Sequence, residues 1–331
     1  MKKVILSILL LIIIVVAGLI TYVLTSWNKD FDAPYPEITA STDSAVIARG
    51  EYLAYGPGHC AYCHIPPEKL PAVASGEHVP LSGGWEMAIP PGTFRAPNIT
   101  PDKETGIGNL SDAEIARALR YMVKHNNKFM LPVMEFTEMS DDDITAIVSF
   151  LRTMEPVRNV VPPSEYTFLG KALLAFGALK PQGPKKTPPV SVLPDSTASY
   201  GSYIANNVAN CLGCHTSRDM KTGAFTGPVF AGGFVMPAEY DPEMEGYMFI
   251  TPNITPDQET GVMALWDEET FVERFQAGRL QPGSPMPWEA FAMMNEMELK
   301  ALYQYLQSLE PQKGSGVKTV YEPGEELPEM N

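Results

Sequence analysis

The chain has 331 residues, 45% of them hydrophobic, and a formal net charge of -15 at pH 7. This length and composition predict folded globular units, and the acidity argues against nucleic acid or an anionic membrane surface as a partner. An acidic face would suit a basic protein partner. The alternative explanation is that the charge only keeps the protein soluble.

An uninterrupted apolar segment lies near the start of the chain. The residues from Val4 to Thr25 carry no charge and are numerous enough for one helical crossing of a bilayer. Two lysines precede the segment, and Tyr22 and Trp27 lie where interfacial aromatic residues would anchor its far end. We therefore predict a transmembrane anchor over residues 1–28, with the rest of the chain exported. A cleaved signal peptide is the alternative.

A duplicated unit occupies most of the remaining chain. The hexapeptide PNITPD occurs at residues 97–102 and again at 252–257, each time followed by Glu-Thr-Gly after one further residue. A shift of 151 positions also maps the CAYCH of residues 60–64 onto the CLGCH of residues 211–215. Because internal similarity at a nearly fixed offset is the signature of a repeated structural unit, the chain contains two copies of one fold.

The two copies set the domain boundaries. We predict a spacer at 29–43, a first domain at 44–158 and a second at 198–314. The proline-rich linker at 159–197 includes FLGKALLAFGAL, which is apolar enough for a short helix on the bilayer surface or, as we predict, between the domains. The Gly- and Glu-rich residues 315–331 have no apolar periodicity and are predicted to form a flexible tail.

All four cysteines lie in the two Cys-x-x-Cys-His motifs. Such pairs could form disulfides, a redox dithiol or half of a zinc site. A histidine directly after the second cysteine is the attachment signature of haem c. Two thiols one helical turn apart reach the two vinyl groups of one porphyrin, and the adjacent imidazole reaches the iron. We therefore predict two covalently attached haem c groups, one in each repeat. The predicted attachment and iron-ligating residues are Cys60, Cys63, His64, Cys211, Cys214 and His215.

Two helices are predicted at the end of each repeat. They begin at Ser111 and Ser140 in the first repeat and at Trp266 and Asn295 in the second. Ser111, Ser140 and Asn295 are good N-caps, and acidic residues follow them in the first turn.

A loop between these two helices offers the second axial ligand of each iron. Most of the 17 methionines must be core residues. The loop methionines Met134 and Met286 each lie near a proline, with an aromatic residue two positions later. They follow the first cysteine of their repeats by 74 and 75 positions. Proline stiffens such a loop, so we predict these two methionines as iron ligands.

Other candidates for this position are weaker. Met139 and Met294 also correspond between the repeats, but each directly precedes an N-cap, where hydrophobic packing explains it. The remaining histidines, His59, His78 and His125, all lie in the first repeat, so they could serve at most one haem.

In this order, the G-x-Y, C-x-x-C-H, G-G, PNITPD-x-E-T-G and M-x-aromatic motifs resemble the dihaem cytochrome c subunits of membrane-bound alcohol and gluconate dehydrogenases. The resemblance covers both repeats, from about Ala45 to Pro311. It implies an all-α fold of two tandem class I cytochrome c domains behind a transmembrane helix. In that family the motif histidine and the loop methionine ligate iron, and here these are His64, Met134, His215 and Met286. Those subunits usually hold three haem domains, whereas this chain has two.

The resemblance also implies roles for other matching residues. Each PNITPD loop would lie along one haem, where Asn98 or Asn253 could donate to a propionate. Asp102 or Asp257 could form a turn with the backbone that follows.

Two matching glycines would lie where helices cross. Gly50 and Gly201, opposite Phe150 and Tyr305, would mark the close crossing of the first and last helices of each domain.

An electron carrier is the function that these motifs indicate. We find no nicotinamide or flavin fingerprint, nucleophile elbow or further metal motif, so substrate chemistry would belong to a partner subunit. The predicted donor is a dehydrogenase or a quinol-oxidising protein, and the predicted acceptor is a cytochrome or a terminal oxidase. The haem domains would lie on the periplasmic side of a bacterial inner membrane.

The alternative function is a dihaem redox enzyme that acts alone, of the peroxidase or thiosulfate dehydrogenase type. The latter enzymes use a cysteine at their active haem, and no cysteine is left over here. A haem-based sensor would need an output domain, and the sequence contains none that we recognise.

Overall fold

The computed structural model describes residues 1–134, 136–219, 222–239, 241–316 and 318–328. Helices make up most of its regular structure, as the all-α prediction requires, and short strands lie between them. The α-helices are α1 (Lys2–Ser26), α2 (Ser44–Tyr55), α3 (Leu70–Ala74), α4 (Asp112–Tyr121), α5 (Asp141–Thr153), α6 (Phe168–Ala175), α7 (Ala198–Tyr203), α8 (Cys211–Cys214), α9 (Glu268–Gln276), α10 (Trp288–Ala292) and α11 (Glu296–Gln307). The strands are β1 (Glu86–Ile89), β2 (Gly92–Arg95), β3 (Glu165–Tyr166), β4 (Val235–Pro237), β5 (Met248–Ile250) and β6 (Val320–Tyr321).

Helix α1 contains the predicted membrane span. Among the described residues it is the one helix long and apolar enough to cross a bilayer. Nearly all of its side chains are exposed, so the apolar surface of α1 is not covered by the rest of the chain. This exposure agrees with a helix whose solvent is lipid rather than water.

The first and last helices of each repeat cross at a glycine. In the first repeat α2 packs on α5, and in the second α7 packs on α11. A Cβ atom added to Gly50 would lie 1.9 Å from the carbonyl oxygen of Ala146, and one added to Gly201 would lie 1.9 Å from that of Ala301. Phe150 lies opposite Gly50 as predicted, whereas Ala301 and not Tyr305 makes the close contact with Gly201.

Helix caps explain where the other long helices begin. Ser111 and Glu114 form a reciprocal capping box at the start of α4. Ser140 and Asn295 accept hydrogen bonds from backbone N–H groups in the first turns of α5 and α11, as predicted. Helix α9 was predicted to begin at Trp266, whereas its N-cap is Asp267 and its first helical residue is Glu268.

Two small antiparallel sheets were not predicted. They have the strand orders β1-β2-β3 and β4-β5-β6, and their strands have only two to four residues each. Such segments are too short to show the alternation of apolar and polar residues that identifies a strand. Each repeat contributes one sheet, so the duplication includes these strands as well as the helices.

The third strand of each sheet changes the expected boundaries. Strand β3 lies in the predicted linker, and β6 lies in the predicted tail. The prediction of a flexible tail is wrong at Val320 and Tyr321, because their backbone pairs with β5 and the Tyr321 side chain is buried. Tyr166 and Tyr321 are 155 positions apart, so the structural repeat extends to the end of these strands.

The linker helix α6 forms as predicted but packs elsewhere. It contacts the C-terminal end of α1, and its Leu174 belongs to a small apolar cluster with Phe129 and Leu179. Trp27 and Phe31, which follow α1, pack against the same cluster. The prediction that α6 packs between the domains is therefore wrong.

The two repeats share a continuous apolar core and a buried polar junction. Arg49 of α2 pairs with Asp143 of α5 at 2.9 Å and with Glu298 of α11 at 3.1 Å. Tyr200 of α7 donates to Glu298 at 2.8 Å, and Tyr203 donates to Asp143 at 2.7 Å. Because each buried charge has hydrogen-bonded partners from both repeats, this network fixes how the repeats meet.

The glycine crossing makes a testable prediction. Replacing Gly50 with alanine should lower the free energy of unfolding by about 1–3 kcal/mol, because the new methyl group overlaps a backbone oxygen that cannot rotate away. Urea titration followed by far-ultraviolet circular dichroism measures the change. Gly316→Ala is the matched control, since a Cβ there meets no atom within 4 Å among the residues that the structure describes. Equal midpoints for the two variants would contradict the close crossing.

Candidate functional site

Each Cys-x-x-Cys-His motif forms a single helical turn. The first motif is a 3₁₀ turn over Cys60–Tyr62, and the second is helix α8. The backbone N–H of His64 donates to the carbonyl of Cys60 at 2.9 Å, and that of His215 donates to Cys211 at 2.8 Å. Two thiols and one imidazole are therefore presented by one short turn in each repeat, as haem c attachment requires.

The two motif histidines are buried and oriented in the same way. Nδ1 of His64 lies 2.8 Å from the carbonyl oxygen of Pro97, and Nδ1 of His215 lies 2.9 Å from that of Pro252. A carbonyl oxygen only accepts hydrogen bonds, so Nδ1 carries the proton and Nε2 keeps a free lone pair. Burial lowers the pKa of both imidazoles, although the proline contact acts in the opposite direction. The neutral ring with a free Nε2 is the form that binds a metal.

These proline carbonyls were missed by the sequence analysis. Pro97 and Pro252 are the first residues of the two PNITPD segments. The duplicated hexapeptide was the available signal, but the sequence alone does not tell which of its atoms faces the motif. The structure assigns the orienting contact to the backbone of the proline.

The asparagine of the hexapeptide has a structural role. The Asn98 amide nitrogen donates to Thr105 Oγ1 at 3.0 Å and to the Val157 carbonyl at 2.8 Å, and its oxygen accepts from the Thr100 N–H. Asn253 makes the three equivalent contacts in the second repeat. Both amide hydrogens are used, so the predicted donation from these asparagines to a propionate is wrong. They instead tie the loop to the segment after the last helix.

The aspartate of the hexapeptide forms the predicted turn. Asp102 Oδ1 accepts from the backbone N–H groups of Glu104 and Thr105, and Asp257 accepts from Glu259 and Thr260. Hydrogen bonds from the threonine of each turn lower the pKa of both aspartate carboxyls. The turn closes the loop whose proline holds the histidine.

A glycine after each motif allows the loop to approach. The backbone N–H of Gly83 donates to the His64 carbonyl at 2.8 Å, and Gly232 does the same with His215. Both glycines have positive φ, 77° and 73°. A Cβ on Gly83 would lie 2.5 Å from the carbonyl carbon of Pro97, so a larger residue would push away the group that orients the imidazole.

The methionines separate into two kinds. Met139 and Met294 are buried in the core, 0% and 3% exposed, as their predicted packing role requires. Met134 and Met286 are only partly buried and pack at the edge of that core together with Cys60 and Cys211. Glu135, next to Met134, lies outside the described residues.

The competing histidines have other contacts. His59 Nδ1 lies 3.1 Å from the Pro57 carbonyl, and its ring meets Phe291 edge-on. His78 bonds to Glu51 and stacks on Tyr55 with ring centroids 4.4 Å apart. His125 is exposed. These contacts account for His59 and His78 without an iron ligand role.

The first motif contacts the segment that follows the Met286 loop of the second repeat. Tyr62, inside the first motif, donates to Glu289, which follows the Met286 loop of the second repeat. Arg279 binds the same carboxylate at 2.7 Å and the Met286 carbonyl at 3.2 Å. This link between the repeats was missed as well, because Tyr62 and Glu289 do not occupy corresponding positions.

Burial is the main cause of a raised thiol pKa in the first motif. Together with the negative charges of Glu239, Cys60 and Cys214, it raises the pKa of the Cys63 thiol to about 12.

The residues of each motif fit haem c better than the alternatives. None of the four cysteines forms a disulfide. Within the described ranges no three His, Cys, Asp or Glu side chains converge as a metal site, which argues against one zinc shared by the two pairs. Each repeat instead offers two thiols and one neutral imidazole on a single turn.

Comparison with known proteins gives the same interpretation. No family model matches the chain. It is 30% identical over 287 residues to the cytochrome c subunit of the quinone-dependent alcohol dehydrogenase of Gluconobacter oxydans, covering 81% of this chain and 55% of that protein. It is 32% identical over 186 residues to the gluconate 2-dehydrogenase cytochrome c subunit of Pantoea cypripedii, covering 54% of this chain and 40% of that protein. It is 30% identical over 227 residues to a diheme c-type cytochrome of Cereibacter sphaeroides, covering 67% and 71%. The chain spans about half the length of the first of these relatives.

Proposed function

Because the chain belongs to the same family of c-type cytochromes as these relatives, we propose that it is a membrane-anchored carrier of electrons with two covalently attached haem c groups. The observation that carries the proposal is the matched pair of imidazoles. Each has Nδ1 bound to a proline carbonyl and Nε2 free, beside two cysteines that form no disulfide. One such site would be enough for a monohaem protein, and the duplication supplies the second.

The two repeats are the proposed haem domains, and their residues have defined tasks. Haem iron, when bound, supplies one-electron exchange between its ferrous and ferric states. Cys60 and Cys63 would hold the first group and Cys211 and Cys214 the second. The carbonyls of Pro97 and Pro252 keep the imidazoles from rotating.

His64 and His215 are the proposed ligands on one face of each iron, and Met134 and Met286 are those on the other. Both methionines are only partly buried at the edge of the core. This supports the choice, because the sulfur of an iron ligand must be accessible to a haem that would lie against the core side chains. Arg279 supports the Met286 loop by binding its backbone carbonyl, which limits the positions that the thioether can take.

Electrons would pass between the two sites within the chain. The contact between Tyr62 and Glu289 supports this step, since it brings the first motif to the segment that follows the Met286 loop of the second repeat. The buried network around Arg49 and Glu298 would keep that separation constant during turnover.

A dehydrogenase is the proposed electron donor, and a cytochrome or terminal oxidase is the proposed acceptor. Relatives are named as cytochrome c subunits of alcohol and gluconate dehydrogenases, which supports a dehydrogenase as the partner. Helix α1 would anchor the chain in a bacterial inner membrane, with both repeats on the periplasmic side. Substrate oxidation would then occur in the partner and not in this chain.

The haem content tests the first part of the proposal. Intact-mass and pyridine haemochrome measurements on the exported protein should give two covalent haems per chain. The double variant Cys211→Ala and Cys214→Ala should lower this number to one, as should the corresponding change of Cys60 and Cys63. A count that does not change in either variant would refute the attachment sites.

Two methionine variants test the axial ligands. Met134→Leu and Met286→Leu keep the side-chain volume but remove sulfur, so each should abolish about half of the near-infrared sulfur-to-iron band of the ferric protein. Absorption spectroscopy at matched haem content measures the band. Met139→Leu is the control and should leave it unchanged. Loss of the band in the control alone would show that the ligand loop is wrongly assigned.

Copurification tests the carrier role. Gentle solubilisation of membranes that contain the full chain should yield a particle with a dehydrogenase, and the substrate of that enzyme should reduce the haem absorbance. The variant without Cys211 and Cys214 should still copurify but accept fewer electrons per chain. Substrate or peroxide turnover by the purified chain without any partner would instead support an enzyme that acts alone.

A further inference from the structure

The end of helix α1 is fixed against the first repeat. The Tyr22 hydroxyl donates to the Ala175 carbonyl at 3.3 Å, and its ring lies 5.4 Å from that of Phe176. Trp27 packs on Tyr166 with ring centroids 5.3 Å apart. Because Tyr22 lies within α1, these contacts put the C-terminal end of α6 beside the last turns of α1. If α1 spans a bilayer, this end of α6 lies at the same depth in it as those turns.

Helix α6 has an apolar face that the described chain does not cover. Phe168 and Leu169 are 53% and 38% exposed, and Phe176 just after the helix is 60% exposed. Leu174 points the other way and is buried. An exposed apolar face is unfavourable in water. Beside a transmembrane helix it would lie in the interfacial layer of the bilayer, as surface helices do.

A pocket of about 250 Å³ lies between the end of α1, α6 and the loop after α4. Three lysines line it, Lys29, Lys124 and Lys128, together with the aromatic residues Trp27, Phe31 and Tyr166. Lys171 adds a fourth cation nearby, 5.2 Å above the Trp27 ring. Cationic and aromatic side chains of this kind are typical of the membrane–water interface.

The positive charge of this pocket is only partly balanced. Lys128 pairs with Asp30 at 2.8 Å. Lys29 lies 5.5 Å from the Phe31 ring centroid, and neither it nor Lys124 has an ion-pair partner within the part of the chain that the structure describes. Burial lowers the pKa of the Lys124 ammonium. An anion in the pocket would relieve this cost.

We propose that this pocket binds the phosphate headgroup of an anionic membrane lipid, with the exposed face of α6 against the acyl chains. The proposal rests on the proposed membrane anchoring by α1. The net charge of -15 does not prevent an anion from binding here. Exposed charges farther away than a Debye length of about 8 Å are largely screened, so the lysines that line the pocket decide its preference. Bound in this way, the first repeat would have a fixed orientation on the bilayer.

Native mass spectrometry of the full haem-loaded chain tests this proposal. The protein is released from nanodiscs that contain equal amounts of phosphatidylglycerol and phosphatidylcholine, and retained lipids are counted. We expect preferential retention of phosphatidylglycerol. Lys124→Gln and Lys29→Gln should each weaken that preference about fivefold, as expected for one lysine near an anionic surface. Lys103→Gln, which removes an exposed lysine far from the pocket in sequence and outside its lining, is the matched control.

The outcomes separate the lipid site from the anchor. The protein must first sediment with vesicles after an alkaline wash, and failure there would overturn the anchoring and the lipid site together. If the protein sediments but retains both lipids equally, the lipid site is wrong and the anchoring stands. The same conclusion follows if the Lys103 variant loses the preference as strongly as the variant of Lys29, whose side chain is also exposed.

Discussion

The hydrogen bond between each motif histidine and a proline carbonyl is the constraint on which both candidate sites depend. It selects the tautomer that leaves Nε2 free, and it fixes the plane of a ring that lies in a buried position. Much of the surrounding loop keeps that carbonyl in place. Asn98 ties the loop to the segment after α5, Asp102 closes its turn, and Gly83 leaves space for Pro97. The second repeat uses the same arrangement.

The junction between the repeats has a different physical basis. Its carboxylates Asp143 and Glu298 occupy matching positions, three residues after the N-caps Ser140 and Asn295, whereas Arg49 corresponds to Tyr200 and has no charged counterpart. Buried charges are costly unless they are paired, so the orientation that satisfies all of them is strongly preferred over orientations that do not. A rigid junction would suit the proposed electron transfer between the repeats, because the rate of such a step depends on the separation of the two sites.

The anchor end of the molecule adds a third constraint. Helix α1 does not end in a free tether, because Tyr22 and Trp27 pack against α6 and β3. The same packing gathers several lysines at one end of an acidic chain. Whole-chain charge therefore describes solubility and long-range encounters, whereas local charge decides what this surface binds.

The sequence by itself determined the features that depend on local pattern. The apolar run of α1, the two Cys-x-x-Cys-His turns, the N-caps at Ser111, Ser140 and Asn295 and the crossing at Gly50 are each encoded within a few residues or by the duplication. Only the tertiary structure decided which atoms meet across long separations. It revealed the Pro97 carbonyl on His64 and the short strands β3 and β6, and it placed α6 on α1. The pattern of a segment can predict its own conformation but not which distant atoms it contacts, so these partners become apparent only when the chain is folded.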